Sequence, residues 1–415
     1  MRSAAASPTF ADAARFWLKL GFISFGGPAG QIAIMHREVV ERRQWVGERD
    51  FTGALNFCML LPGPEALQLA IYLGWKLHGF RGGLVAGLGF IGPAIVLLLG
   101  LSWAYARFGH LPAATGVLLG LKAAVLALVL QALLRIGRRA LGSPLHVALA
   151  IAAFIALELI GVPFPLIVLA AGTIGLAAAW RAPRPSATVQ PSPGAGAPLH
   201  VALAGLTLWL IPLLAVALTL GLQSLWSRLY VFFTQAALVT FGGAYAVLGY
   251  VTQHLVQDLG WLTAEQSVAG LALAETTPGP LVIVLQFMGF MAGWNQPGAL
   301  DPAASAVIAA LLASWATFLP SFVFILLGAP YVERLSANHR LAGALAGVTA
   351  AVVGVIGSLA IAFGRGVLFP DGFETPAWGP IAIAAMALIV LERTRVDVLW
   401  VIVGGALAGL ALGMT

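Results

Sequence analysis

The sequence predicts an all-α polytopic membrane protein. It reads as two inverted-topology repeats of six hydrophobic segments plus one linking helix, with broken or re-entrant helices at Phe-Gly-Gly and Pro-Gly-Pro motifs. Three observations predict this. Of 415 residues, 60% are hydrophobic and only 9% charged, against about 25% charged in a typical soluble domain. Apolar runs of near-membrane length follow one another along the whole chain. Landmarks of the first half recur in register in the second. So little charge cannot clothe a soluble globule, which excludes a soluble enzyme and a nucleic-acid binder despite the net charge of +6. The single cysteine, Cys58, excludes a disulfide scaffold. Met1 to Arg15 hold no apolar core, so no cleavable signal peptide is expected.

A spanning helix needs about 20 consecutive apolar residues. Thirteen runs approach that length: 16–35, 51–75, 82–104, 112–134, 144–160, 163–180, 200–225, 230–256, 266–294, 304–328, 341–363, 376–392 and 396–414. Residues 181–199 are rich in Pro, Ala, Ser and Gly and read as a flexible linker. The expected organisation is a membrane repeat over 1–180, the linker over 181–199, a linking helix over 200–225 and a second repeat over 226–415. Tryptophans near run ends, Trp17, Trp180, Trp226 and Trp400, read as interfacial anchors.

The repeat rests on spacing. Phe25-Gly26-Gly27 recurs as Phe241-Gly242-Gly243, Trp45 as Trp261, and Pro62-Gly63-Pro64 as Pro278-Gly279-Pro280, all at one and the same offset. After an insertion around Asn295–Pro302 the offset grows, and Gly120 to Val125 aligns with Gly347 to Val352. Six segments return a chain to its starting side, and the unmatched segment 200–225 then flips the second repeat. Inverted repeats with broken helices are a hallmark of secondary transporters.

The breaks split segments 16–35 and 51–75 into arms of about ten residues, or ~15 Å, half of a ~30 Å hydrocarbon core. The arms are read as re-entrant hairpins rather than kinked spans because of where the charges fall. With hairpins and a cytoplasmic N-terminus, 18 of the 22 Lys and Arg lie inside, and only Arg107, Arg228 and Arg365 outside. With full spans the split falls to 14 against 7.

Backbone broken at membrane depth is tolerated where it is buried in protein or lines a polar cavity. Each break also begins a helix, with free N–H groups and the positive end of its dipole. A single break is more often a simple kink. Four breaks, paired by a repeat, point to an anion site. Its candidates are Gly26, Gly27, Pro62, Gly63, Pro64, Gly242, Gly243, Pro278, Gly279 and Pro280, with Gln31, Gln68 and Gln286 as amide donors. Ser24 and Thr240 offer hydroxyls, or bond back to their own helices.

Lys122, at the centre of segment 112–134, costs roughly 2.5–3.5 kcal/mol to insert. It is a substrate-binding candidate, or else a structural partner of Glu65. Glu65 follows Pro64 in a first helical turn, where it complements the dipole. With Glu275 it is the candidate for coupling or gating. Seven scattered histidines without an i, i+4 pair point away from a metal site, and no GxxxxGK[ST] motif implies ATP. No cofactor is expected. HREVVERR at 36–43 reads as a solvated cytoplasmic loop that attracts anionic lipid or substrate.

FGGPAGQIAIMHREVVERRQWV, LLPGPEALQLAIYLGWKLHGFRGGLVAGLGFIGPA and the second-half TFGGAYAVLGYVTQHLV and ETTPGPLVIVLQFMGF resemble the chromate ion transporter family in its long-chain, two-domain form. The resemblance spans nearly the whole chain apart from the linker. The second half departs from the first at one tip, with Ala244 where Pro28 stands. The resemblance implies a non-enzymatic carrier of the cytoplasmic membrane that exports chromate and confers resistance. Its expected partners are chromate or a similar oxyanion and membrane lipid, without nucleic acid; a homodimer is compatible with the sequence. Sulfate or another oxyanion, and a passive anion channel, are the alternatives. A potential of 100 mV, negative inside, favours outward movement of a dianion by ~4.6 kcal/mol, over three decades of gradient. Export therefore does not require a proton partner.

Overall fold

The computed structural model describes residues 8–25, 27–181, 199–241, 243–332, 338–370, 372–394 and 396–413. Among them every regular element is helical. Gly26, Gly242 and almost all of the expected linker lie outside the described residues.

The first half holds α1 (Phe10–Ile23), α2 (Gly27–Met35), α3 (Glu48–Cys58), α4 (Glu65–Phe108), α5 (Pro112–Ala140), α6 (Pro144–Ile155) and α7 (Phe164–Arg181). After α8 (Leu199–Leu220), the second half runs through α9 (Leu225–Leu238), α10 (Ala244–Thr252), α11 (Ala264–Thr276), α12 (Val284–Asn295) and α13 (Pro302–Gly328). It closes with α14 (His339–Leu368), α15 (Trp378–Arg393) and α16 (Val398–Gly413). Six helices are long and apolar enough to cross a membrane, and three shorter ones are apolar. The chain is a polytopic membrane protein.

Each expected break ends one helix and starts another. Three expectations change in detail. The 51–75 and 82–104 runs join in one helix, α4, kinked where His78 and Gly79 leave helical geometry. The arm after Phe25-Gly26-Gly27 exceeds ten residues, because the nine of α2 continue into seven more, His36–Arg42, in π geometry. The HREVVERR stretch is therefore helical rather than a loop. Hydrogen bonds close its turn, from Arg42 and Arg43 to the Glu38 carboxylate. Burial alone would raise the pKa of Glu38, but the two guanidiniums outweigh it and hold that pKa below its ordinary value. The tryptophans also divide. Trp180 and Trp400 are exposed as anchors are, whereas Trp17 and Trp226 are buried. Trp226 donates to the Ser305 carbonyl, so packing claims it before the interface does.

The two halves interlock through glycine. A methyl group at Gly120 on α5 would overlap the Gly405 carbonyl on α16, and one at Gly409 would overlap Gly116 and Gly120. The repeat mates of Gly116 and Gly120 show the same arrangement: Gly343 and Gly347 on α14 meet Gly175 and Ala179 on α7. Small residues four apart let helix backbones approach where lipid offers no hydrophobic drive. Each central helix thus packs against the last helix of the opposite half. Much of the count of 49 glycines goes into such crossings rather than into the breaks.

Candidate functional site

The Pro-Gly-Pro turns cross between halves. The Gly63 N–H donates to the Thr240 carbonyl at 2.8 Å, and the Gly279 N–H to the Ser24 carbonyl, also at 2.8 Å. Gly279 is the repeat mate of Gly63, and Ser24 that of Thr240, so one interaction occurs twice. Gly63 and Gly279 take φ of +119° and +115°, a region that L side chains rarely adopt. Each turn also rests on a proline-containing helix of the other half. A Cβ at Gly63 would lie 2.7 Å from Ser321 Oγ on α13, and one at Gly279 would lie 2.6 Å from the Ala94 Cβ on α4. Pro320 and Pro93 precede those two positions within their helices.

The four break tips surround one cavity of about 10 Å³. Pro28 and Gln31 come from the first break, Pro64 and Glu65 from the second, Gly243 and Ala244 from the third, Pro280 and Leu281 from the fourth. Among the helices that begin away from the breaks, six carry side-chain caps, with Thr9, Ser143, Ser224, Thr263, Asp301 and Asn338 accepting from their first turns, while α3, α5 and α15 do not. The helical turns that begin after Pro64, Gly243 and Pro280 have no such cap. Their N–H groups stay available at the cavity, where the dipoles favour negative charge. A cavity of this size admits about one water molecule, so the tips stand closed.

The other sequence candidates sort by distance from that cavity. Gln31 is fully buried, and its Nε2 donates to the Gly279 and Ser24 carbonyls, which ties the first tip to the fourth. Gln68 Nε2 donates to the Pro62 carbonyl at 2.7 Å and braces its own turn. Gly27, Pro62, Gly63, Pro278 and Gly279 form the turns behind the cavity wall rather than its lining. Ser24 and Thr240 hydroxyls bond back to Leu20 and Ala236, which is the structural alternative for both. Gln286 lies elsewhere. It donates to the Ile95 carbonyl at 2.8 Å and accepts from Ser314 at 2.9 Å, joining α12 to α4 and α13.

Lys122 does not pair with Glu65. Its Nζ lies 3.8 Å from Glu265 in the first turn of α11, a carboxylate with a side chain 70% exposed. The packing of α11 on α5 brings these residues together from opposite halves of the sequence. Glu275 is buried and accepts a 2.6 Å hydrogen bond from Tyr245. Sequence reasoning passed over Tyr245. Its signal was a phenol two residues after a break, where the first half has Ala29. Ser321 was also missed, and its hydroxyl has no hydrogen-bond partner among the described residues. Among the described residues no group of His, Cys, Asp or Glu is arranged to hold a metal.

Comparison with known proteins completes the picture. The chromate transporter family model matches residues 11–176 and 227–410. The chain belongs to the chromate transporter family. It is 34% identical over 404 residues to a chromate transport protein of Pseudomonas aeruginosa, covering 95% of this chain and 90% of that one. A chromate transport protein of Cupriavidus metallidurans is 32% identical, over 95% and 91%. A probable chromate transport protein of Synechococcus elongatus is 32% identical, over 85% and 84%. No solved structure matches the chain. As a family member with several helices long and apolar enough to span a membrane it is a multi-pass membrane transport protein.

Proposed function

We propose that this protein is a secondary transporter that exports chromate, a tetrahedral oxyanion, across the cytoplasmic membrane and so confers chromate resistance. It works by alternating access at a midplane site built from the four break tips. One observation carries this reading: helical turns from both halves, without side-chain caps, begin around a single closed cavity. Backbone N–H groups and dipole ends from several directions suit a compact dianion. The closed cavity is smaller than such an ion, so loading requires the tips to part toward one face and then the other.

The rest of the reading follows the sequence. The two halves, 1–180 and 226–415, are inverted repeats flipped by the 200–225 helix. The Phe-Gly-Gly and Pro-Gly-Pro segments are re-entrant hairpins, and the N-terminus is cytoplasmic. Lys122 lies on the anion's path rather than at its resting place, and Glu65 and Glu275 govern coupling or gating. Chromate relatives favour chromate over sulfate as the cargo.

The test is uptake into proteoliposomes of labelled chromate against labelled sulfate, with and without an imposed potential. Saturable chromate flux, driven toward the positive side, is expected. Absent or non-saturable flux overturns the carrier, the latter in favour of a channel.

A further inference from the structure

The tip cavity contains two polar groups that sit oddly in a site for a dianion. Glu65 places a carboxylate among the helix starts that would attract the cargo. Among the described residues it has no hydrogen bond or ion pair. Lys122, a basic residue within reach by sequence reasoning, is held by Glu265 instead. Gln31 lines the same cavity and is fully buried. Its Nε2 is committed to two carbonyls, which fixes the amide orientation and leaves Oε1 as an acceptor without a donor among the described residues. Uncapped helix N-termini call for negative charge. An orphaned buried amide oxygen calls for a proton on whatever enters. An anion alone answers only the first demand.

We propose that Glu65 is the resident anion of the closed site, and that a tetrahedral oxyanion displaces it together with one proton. The proposal rests on the transport reading above. In the closed protein the Glu65 carboxylate lines the cavity at the start of α4, opposite the start of α10, within the field of the dipole ends but without a hydrogen bond to their N–H groups. About 10 Å³ leaves no room for an oxyanion beside it. On loading, the carboxylate must leave the dipole ends. Two negative groups cannot share so small a site in water-poor surroundings. One proton is therefore taken from the loading side onto the Glu65 carboxyl, whose O–H donates to Gln31 Oε1. On release the proton departs with the cargo and Glu65 returns. The other residues that line the cavity, all Pro, Gly, Ala, Leu or Val, carry no titratable group. The ionisable neighbours beyond them are few. Cys58, buried at the end of α3, interacts electrostatically with Glu65, while Glu275 is bonded to Tyr245.

The experiment uses the purified full chain and chromate itself. Chromate binding is measured by titration calorimetry from about pH 5 to about pH 9 for wild type, Glu65→Gln and Glu65→Asp. Each proton taken up on binding weakens affinity by up to about tenfold per pH unit. Chromate also takes up a proton in this range, so the difference between wild type and Glu65→Gln isolates the share due to Glu65. The expected result is at least a tenfold tighter Glu65→Gln complex at the alkaline end, with a shallower pH slope, while Glu65→Asp keeps the wild-type slope. Wild-type proteoliposomes should also move protons with chromate, a measurement that needs no variant. An unchanged slope in Glu65→Gln overturns the proposal. So does weaker binding by a Glu65→Gln protein that melts like wild type, because removing a competitor cannot weaken its rival. Chromate flux without proton movement overturns it as well. If wild type binds no chromate at any pH, the transport reading itself fails, and that outcome is distinct from the others.

Discussion

Replacing Gly279 with alanine tests whether the closed tips depend on glycine for space as well as for backbone. Two costs can be separated. Gly279 holds φ at +115°, and an L residue forced there costs about 1–3 kcal/mol. Its new Cβ would also lie 2.6 Å from the Ala94 Cβ. Carbon atoms prefer about 3.5–4.0 Å, so α4 must retreat by about 1 Å, an overpacking cost of about 1–3 kcal/mol. The total, about 2–6 kcal/mol, is a large share of the 5–15 kcal/mol of typical stability. Ala94→Gly should remove the second cost and leave the first, at about 1 kcal/mol for glycine within a helix. A double-mutant cycle read by thermal unfolding in detergent should therefore show coupling of about 1–3 kcal/mol. Chromate flux should fall in Gly279→Ala and recover only partly in the double variant. Gly63→Ala should be milder, because the atoms it meets, Ser321 Oγ and Gln68 Nε2, end side chains that can rotate away. Wild-type melting of Gly279→Ala, or no coupling to Ala94, would refute the geometry.

Three further outcomes are expected. Lys122→Ala should abolish transport yet melt within about 1 kcal/mol of wild type, since a pair 3.8 Å apart whose carboxylate side chain is 70% exposed is worth about 0–1 kcal/mol; normal flux would remove Lys122 from the anion's path. Tyr245→Phe should leave buried Glu275 without its donor and destabilise by about 1–3 kcal/mol, seen as a lower melting temperature, and an unchanged one would argue against the pair. Arg49→Cys should label from the cytoplasmic side against a quiet background, since native Cys58 is buried; labelling from outside alone would overturn the hairpin topology.

The four breaks were legible because Pro and Gly disrupt an apolar helix by their own chemistry, whatever surrounds them. Their recurrence at one constant offset exposed the pairing as well. Contacts made across the chain were not legible. Lys122 looked unpaired in its run because its partner stands in the other half of the chain, at the start of a helix whose packing no local pattern encodes. Gln286 looked like a cavity residue because it follows a break by two turns. Yet its amide turns to the Ile95 carbonyl, two residues past Pro93, a consequence of how α12 meets α4. Trp17 and Trp226 read as anchors by position along the run, and only the side they face decides otherwise.

The crossing of the halves bears on what can move. Each Pro-Gly-Pro turn is hydrogen-bonded to the tip of the opposite half, and Gln31 adds a second tie to Gly279. The glycine crossings fix α5 to α16 and α14 to α7, again between halves. A rocking of one whole half against the other would break every one of these contacts together. It would also separate backbone groups that lipid cannot satisfy. Motion that keeps the crossings and opens only the tips breaks far less: two N–H···O bonds and the Gln31 tie, each worth about 0.5–1.5 kcal/mol net. A sum of a few kcal/mol leaves an open state populated at about 0.1–10%, within reach of a bound anion's differential affinity. On the proposed transport reading, then, the halves are joined as a frame and the tips are the part that gates it.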